Sequence, residues 1–369
     1  MRVFSIGPGG VSETAALPER LPVQGHVWIA CTRQEFSEQL PQLQSLLQTL
    51  CGQQLVDLHV SDLLNAQLPS HFDYTSQYDL LVFRRLAAGL AGAPETPAQP
   101  LRAGPRRSGP AILRHIDTSP VGFAVFERVL LSVHPADGAA RDAYAARLLQ
   151  AATSDQRITG SNRLPTSPAD LMLRIVNQMV DGFLELRREL TRQLDHWQAE
   201  LLSPRTRFSN WSALLDARLS LHQLDEICED QRAAVQDWIE MLKTWPAAQS
   251  AAAQREHDLL LVRSRDVLEH IERVVHHVRR LEQNIETAVQ IHFNAQSNRT
   301  NDIMRTLTVL TAIFLPLNLI AGIFGMNFDF IPLIHDAGGF WWAMASMGLT
   351  AVALALLFWR KRYLERSGR

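Results

Sequence analysis

Thr306-Leu307-Thr308-Val309-Leu310-Thr311-Ala312-Ile313-Phe314-Leu315-Pro316-Leu317-Asn318-Leu319-Ile320-Ala321-Gly322-Ile323-Phe324-Gly325-Met326-Asn327-Phe328 contains no charged residue. A helix of about 20 such residues reaches across a bilayer core of roughly 30 Å. A second uncharged run, Ala337 to Trp359, follows after only the eight residues Asp329 to Asp336. So short a link makes the two spans an antiparallel hairpin. It also puts Gly325-Met326-Asn327 at the mouth of the first span, on the side opposite the bulk of the chain.

Charge decides which side that is. Arg360-Lys361-Arg362 follows the second span directly, with Arg366 and Arg369 beyond. Positive flanks stay in the cytoplasm, so this tail is expected there. Two spans return the chain to its starting side, which makes the N-terminal body cytoplasmic too and the protein a multi-pass component of the inner or plasma membrane. Met1-Arg2-Val3-Phe4-Ser5 lacks the apolar core of a signal peptide. The three cysteines, Cys31, Cys51 and Cys228, are widely spaced and read as reduced thiols. Across the 369 residues, 36 Lys and Arg nearly balance 38 Asp and Glu, so net charge points to no nucleic-acid partner.

Upstream of the spans the texture changes once. Residues 1–165 alternate strand-like and helix-like pieces and are expected to form an α/β domain. His26 to Ala30, Leu80 to Phe83, Val121 to Phe126 and Val129 to Val133 read as strands, and Glu35 to Leu50 as an amphipathic helix. A breaker-rich insert, 89–110, reads as a loop. Residues 166–301 read as a stalk of long helices: Asp170 to Leu201, Trp211 to Trp245, and a third from about Gln254. In the third, Val267, Ile271, Val274, Val278, Leu281, Ile285 and Ala288 recur at alternating spacings of four and three, a heptad seam. No proline follows before Pro316, so the stalk is expected to run into the first span (302–328) as one rod of roughly 90 Å. The link 329–336, the second span 337–359 and the basic tail 360–369 complete the chain.

Asn301, Met304, Leu307, Thr311, Leu315, Asn318 and Gly322 recur every three or four residues and share one helical face. Polar and apolar groups alternate on it, as suits a multi-site pore, and Met304 with Leu307 would form a constriction able to gate by dewetting. The competing reading is that Thr311 and Asn318 are interhelical hydrogen-bonding groups and the small residues packing positions.

Thr300-Asn301-Asp302-Ile303-Met304, then Phe314 through Phe328 with its Pro316 and closing Gly325-Met326-Asn327, resembles the CorA family of divalent-cation channels. Fainter likeness extends to Trp28-Ile29, Ser61-Asp62-Leu63-Leu64 and Arg265 to His270. The resemblance implies an α+β membrane protein: an N-terminal cytoplasmic αβα domain, a funnel of long helices and two C-terminal transmembrane helices, assembled as a homopentamer in the lipid bilayer. It implies Gly325, Met326 and Asn327 as selectivity filter and the face above as pore lining. Mg²⁺ dehydrates reluctantly, so a filter should offer oxygen dipoles to a hydrated ion. Asn327 supplies a side-chain carbonyl, and Gly325 is expected to let the backbone turn and expose its own.

Asp329 and Asp336, in the link, are expected to concentrate cations outside the pore. The family often carries Met-Pro-Glu-Leu there; the matching residues are Ile331-Pro332-Leu333-Ile334, so one acid is lost or shifted to Asp336. By the resemblance, Asp62 and Asp266 would face each other across a subunit boundary and share a regulatory Mg²⁺, with Glu269 close enough to assist; the alternative is a helix cap and a solvated flank. The function implied is Mg²⁺ uptake, with Co²⁺ and Ni²⁺ as further cargo, driven by the membrane potential and gated by internal Mg²⁺. Transported and regulatory divalent cations are the only cofactors expected, with no organic one. Alternatives are a zinc-carrying relative, with or without proton coupling, against which Met326 counts because that branch often shows Gly-Val-Asn, and a non-transporting scaffold. No nucleophile motif or phosphate loop marks an enzyme.

Overall fold

Short β-rich segments with alternating apolar residues build the sheet: β1 (Arg2–Gly7), β2 (Gly10–Thr14), β3 (His26–Thr32), β4 (His71–Tyr74), β5 (Asp79–Leu86), β6 (Thr118–Val125) and β7 (Val129–His134). In this computed structural model the described residues are 1–14, 16–86, 118–153, 164–202, 211–245, 250–326 and 338–360. The insert 89–110, Asn327, Asp329, Asp336 and the tail after Arg360 therefore lie outside them. Among the described residues the strand order is β2-β1-β3-β7-β6-β5-β4, antiparallel except where β3 runs parallel to β7.

Side chains alternate across this sheet as the strand repeat demands. Val27, Ile29 and Cys31 of β3 and Leu131 and Val133 of β7 pack with Phe36, Leu43, Leu47 and Leu63 into one core. Those four side chains come from α1 (Arg33–Glu38), α2 (Leu40–Cys51) and α3 (Asp57–Leu64). On the opposite face Trp28 stacks on Phe4 and meets Tyr144 of α4 (Ala139–Thr153) edge-on. Its indole N–H donates to Ser132 Oγ at 2.8 Å, so the buried ring carries no orphaned donor.

Two local expectations change. The single helix from Glu35 to Leu50 is broken between Glu38 and Leu40. Thr32 and Glu35 close a capping box on α1, while Pro41 falls in the first turn of α2, where its missing N–H costs nothing. Strands β1, β2 and β4 went unread: β2 is largely exposed and β4 is four residues long, so neither shows a clean alternation.

Three long helices follow: α5 (Pro168–Leu202), α6 (Trp211–Thr244) and α7 (Ala251–Phe324). All seven seam residues of α7 from Val267 to Ala288 are buried, so the heptad reading was correct. The helix also runs on into the first span and passes through Pro316 without ending. Proline removes one N–H donor and costs about 3 kcal/mol in a helix in water, but transmembrane helices tolerate it because neighbouring groups re-satisfy the freed carbonyl. The last helix is α8 (Gly339–Arg360). The chain divides into two compact units, one of residues 1–200 with 207–285, the other of 201–206 with 286–369. The sheet therefore shares a unit with α5, α6 and the first part of α7.

Candidate functional site

Two helices, α7 and α8, are long and apolar enough to cross a membrane, and the most apolar window of each is almost wholly exposed. A soluble core helix would bury those residues, so an apolar surface of this extent marks a region that needs lipid or further protein around it.

The exposure is patterned. Asn301, Met304, Leu307, Thr311, Leu315, Asn318 and Gly322 are all exposed. Val309 is buried, and Ala312, Ile313, Pro316, Leu317, Ile320 and Phe324 are half-buried. At about 100° per residue these two stripes lie roughly 160° apart around the helix. A matching half-buried stripe on α8, Ala343, Met347, Thr350, Ala351, Leu354, Ala355 and Phe358, is rich in the small residues that let membrane helices approach closely. The alternation of polar and apolar groups thus lies on the face that the hairpin leaves open. Thr311 donates its hydroxyl to the Leu307 carbonyl at 2.9 Å, within the helix. Asn318 makes no side-chain hydrogen bond to a described residue, and its amide is exposed.

At the end of the span Gly325 donates its N–H to the Ala321 carbonyl at 2.9 Å and Met326 to that of Ile323 at 3.3 Å. Among the described residues the glycines with positive φ are Gly10, Gly25, Gly52 and Gly138, so Gly325 is not left-handed. What glycine provides at 325 is room, since a Cβ would sit 3.1 Å from the Ala321 oxygen.

Asp62 lies in the last turn of α3, one-fifth exposed, with His71 Nε2 3.8 Å from its carboxylate. The seat of α3 depends on Gly122 of β6: a Cβ there would fall 2.2 Å from Leu63 Cδ2. This supporting glycine was missed from sequence; a glycine inside a strand was the available signal. Asp62 is not a helix cap. Asp266 projects from α7 beside the buried Val267, is 56% exposed, and has His270 3.7 Å away. Glu269 is engaged elsewhere, in an ion pair with Arg273 at 2.5 Å. Each carboxylate offers hard oxygen donors suited to Mg²⁺. Among the described residues no group of three or more His, Cys, Asp or Glu is arranged to hold a metal.

Three further stalk histidines have structural partners. His257 and His292 bond the carbonyls of Leu242 and Leu201, and His277 bonds Thr191. Cys31, Cys51 and Cys228 are free thiols. Burial pushes Cys31 and Cys228 up to about 12 and Cys51 up to about 11, so none is a reactive thiolate.

A model of the family described as CorA-like Mg²⁺ transporter protein matches residues 24–362. The chain is 25% identical over 201 residues to the cobalt/magnesium transport protein CorA of Thermotoga maritima, covering 53% of this chain and 52% of that one. It is 33% identical over 104 residues to the magnesium transport protein CorA of Haemophilus influenzae, 28% of this chain and 33% of the relative. These alignments span about half or less of the curated relatives. The complete structure of the CorA magnesium transporter from Methanocaldococcus jannaschii superposes with a TM-score of 0.65 at 15% identity, over 100% of this chain and 98% of that one. At that identity the likeness concerns the fold.

Proposed function

Since the chain belongs to the family of CorA-like Mg²⁺ transporter proteins, we propose that it is a homopentameric channel for Mg²⁺ uptake, with Co²⁺ and Ni²⁺ as further cargo. The observation that carries the reading is the exposed face of α7, whose polar groups lie roughly opposite the half-buried stripe of the same helix. Five such faces enclose a pore lined at successive levels by Asn301, Met304, Leu307, Thr311, Leu315, Asn318 and Gly322. Asn side chains offer carbonyl oxygens to the hydration shell, while Met304 and Leu307 close a dry constriction. The Gly325-Met326-Asn327 end of the span is the filter, and Asp329 and Asp336 gather cations before it. The Thermotoga relative carries cobalt and magnesium in its name, which supports both ions as cargo.

The basic residues after α8 keep both termini in the cytoplasm of an inner or plasma membrane. The membrane potential drives entry at about 2.3 kcal/mol per charge per 100 mV, so a dication gains roughly twice that. Regulation lies with Asp62 and Asp266 of adjacent subunits. Bound Mg²⁺ would neutralise two carboxylates that otherwise repel, and so hold neighbouring subunits together in a closed arrangement. Asp266 stands on the same helix that carries the pore face, which couples sensing to the constriction.

Ion flux into liposomes tests this directly. Asn327→Ala should cut Mg²⁺ entry at least tenfold, and Co²⁺ entry with it; unchanged Mg²⁺ flux would reject the filter. A wild-type preference for Zn²⁺ would favour the zinc-carrying alternative.

A further inference from the structure

A cavity of about 630 Å³ opens at the edge of the sheet, where the β4–β5 and β6–β7 turns meet the start of α5, the end of α6 and the start of α7. Its volume falls in the range of small-molecule sites. It is roughly three times what a dication with six waters needs, at about 30 Å³ per water.

The lining decides the sign of the occupant. Asp79, Glu127 and Glu256 contribute three carboxylates from three separate elements, and neither Lys nor Arg lines the space. None of the three carboxylates bonds or pairs with a described residue. His257, the remaining titratable nitrogen, already donates Nε2–H to the Leu242 carbonyl at 2.8 Å. Two helix starts open here, and each would favour an anion if its N–H groups were free. Each already gives one N–H to a capping hydroxyl: Ser167 Oγ accepts from the Asp170 N–H at 3.3 Å, and Ser250 Oγ accepts from the Ala253 N–H at 3.2 Å. The end of α6 at Thr244 adds the negative pole of its dipole.

The walls decide the body of the occupant. Tyr74 and Trp245 present ring surface, 64% and 39% exposed. Val125, Pro168, Met241 and Leu260 supply aliphatic surface between the acids. Tyr78 directs its hydroxyl away, to the Val56 N–H at 3.0 Å and to His59 at 2.8 Å, leaving its ring for the cavity. Aromatic faces attract cations, and aliphatic walls have no use for a hydrated inorganic ion.

We propose that this cavity binds an organic polycation of the polyamine class, whose ammonium groups meet Asp79, Glu127 and Glu256 while its methylene chain lies along Met241, Leu260 and the Trp245 ring. Burial lifts the Asp79 carboxyl to about 6, so its charge in the empty cavity is poorly solvated and an ammonium ion relieves that cost. The site is independent of the transport reading, because the cavity lies wholly within the unit that contains the sheet.

Calorimetric titration of spermidine into the purified full chain, at constant ionic strength, provides the test. Asp79→Asn and Trp245→Ala should each weaken binding at least tenfold, and Glu256→Gln, on an exposed helix start where the fold is not at stake, about threefold. Glu19→Gln, away from the cavity, should leave it unchanged. Equal affinity in wild type and all three cavity variants would overturn the proposal. So would complete displacement by Mg²⁺ at matched charge, which would mark the cavity as an inorganic cation site or spermidine as part of a diffuse ion atmosphere. Because no flux is read, failure here leaves the channel reading untouched, and failure of that reading leaves the site untouched.

Discussion

Asp79 begins β5 as a half-buried carboxylate with no described partner, and its folded pKa of about 6 stands above the ordinary 3.8. Below the ordinary value it is neutral in both folded and unfolded chains and carries no penalty. As pH rises through about 6, the folded protein must hold a desolvated charge that the unfolded chain hydrates freely, so stability is lost on the alkaline side. Asp79→Asn removes that penalty. It should stabilise the sheet-containing unit by about 1–2 kcal/mol at pH 8, discounted for the exposure that remains, and change little at pH 4. Urea denaturation at the two pH values reads the difference; an equal effect at both would show that burial is not the cause. The same substitution is expected to weaken spermidine binding, so stability and affinity should move in opposite directions. Little of this was legible beforehand, because Asp79 before Leu80 and Leu81 reads as an ordinary strand start, and only the turns and helices folded around it create the cavity.

Helix α7 shows what periodicity alone can carry. Its seam from Val267 to Ala288 and its polar face from Asn301 to Gly322 were readable because both repeat every three or four residues. The half-buried stripe on α8 was not, since almost every α8 residue is apolar and no contrast marks a face. Ala351 and Ala355 lie on that stripe. Ala351→Leu should cost about 1–3 kcal/mol by overpacking, whereas Ala353→Leu, on the exposed side, should be nearly neutral. Denaturation in detergent, followed by the fluorescence of Trp341 and Trp342, separates them; equal costs would remove the packing assignment. On the other face of α7, Leu307→Ser should wet the constriction and raise Mg²⁺ leak several-fold at inhibiting internal Mg²⁺, measured in the liposome assay. Unaltered leak would place the gate elsewhere.

For the whole molecule, the pairing of Asp62 with Asp266 between subunits is the decisive question. Within one chain each has a histidine neighbour, and neither belongs to a three-ligand metal cluster among the described residues. In a Cys51→Ser background, Asp62→Cys with Asp266→Cys should cross-link under mild oxidation into a ladder ending at five chains, and Mg²⁺ withdrawal should slow the reaction. Bands that stop at the monomer or dimer would exclude the proposed interface. Asp266→Lys should separately shift inhibition by internal Mg²⁺ to concentrations at least tenfold higher, and full retention of that inhibition would reject the sensor.

Local chemistry was enough to determine the two apolar spans, the long helices, the polar face and the Gly325-Met326-Asn327 close, because each is written as composition or period within a few turns of one element. Tertiary structure alone decided where α1 stops and α2 begins within the sheet domain, that Gly122 seats α3 against β6, and that three acids from separate elements line one cavity. Those features depend on residues distant in sequence meeting at van der Waals range. No repeat along the chain encodes such a meeting; it arises when burial of apolar surface drives the elements together.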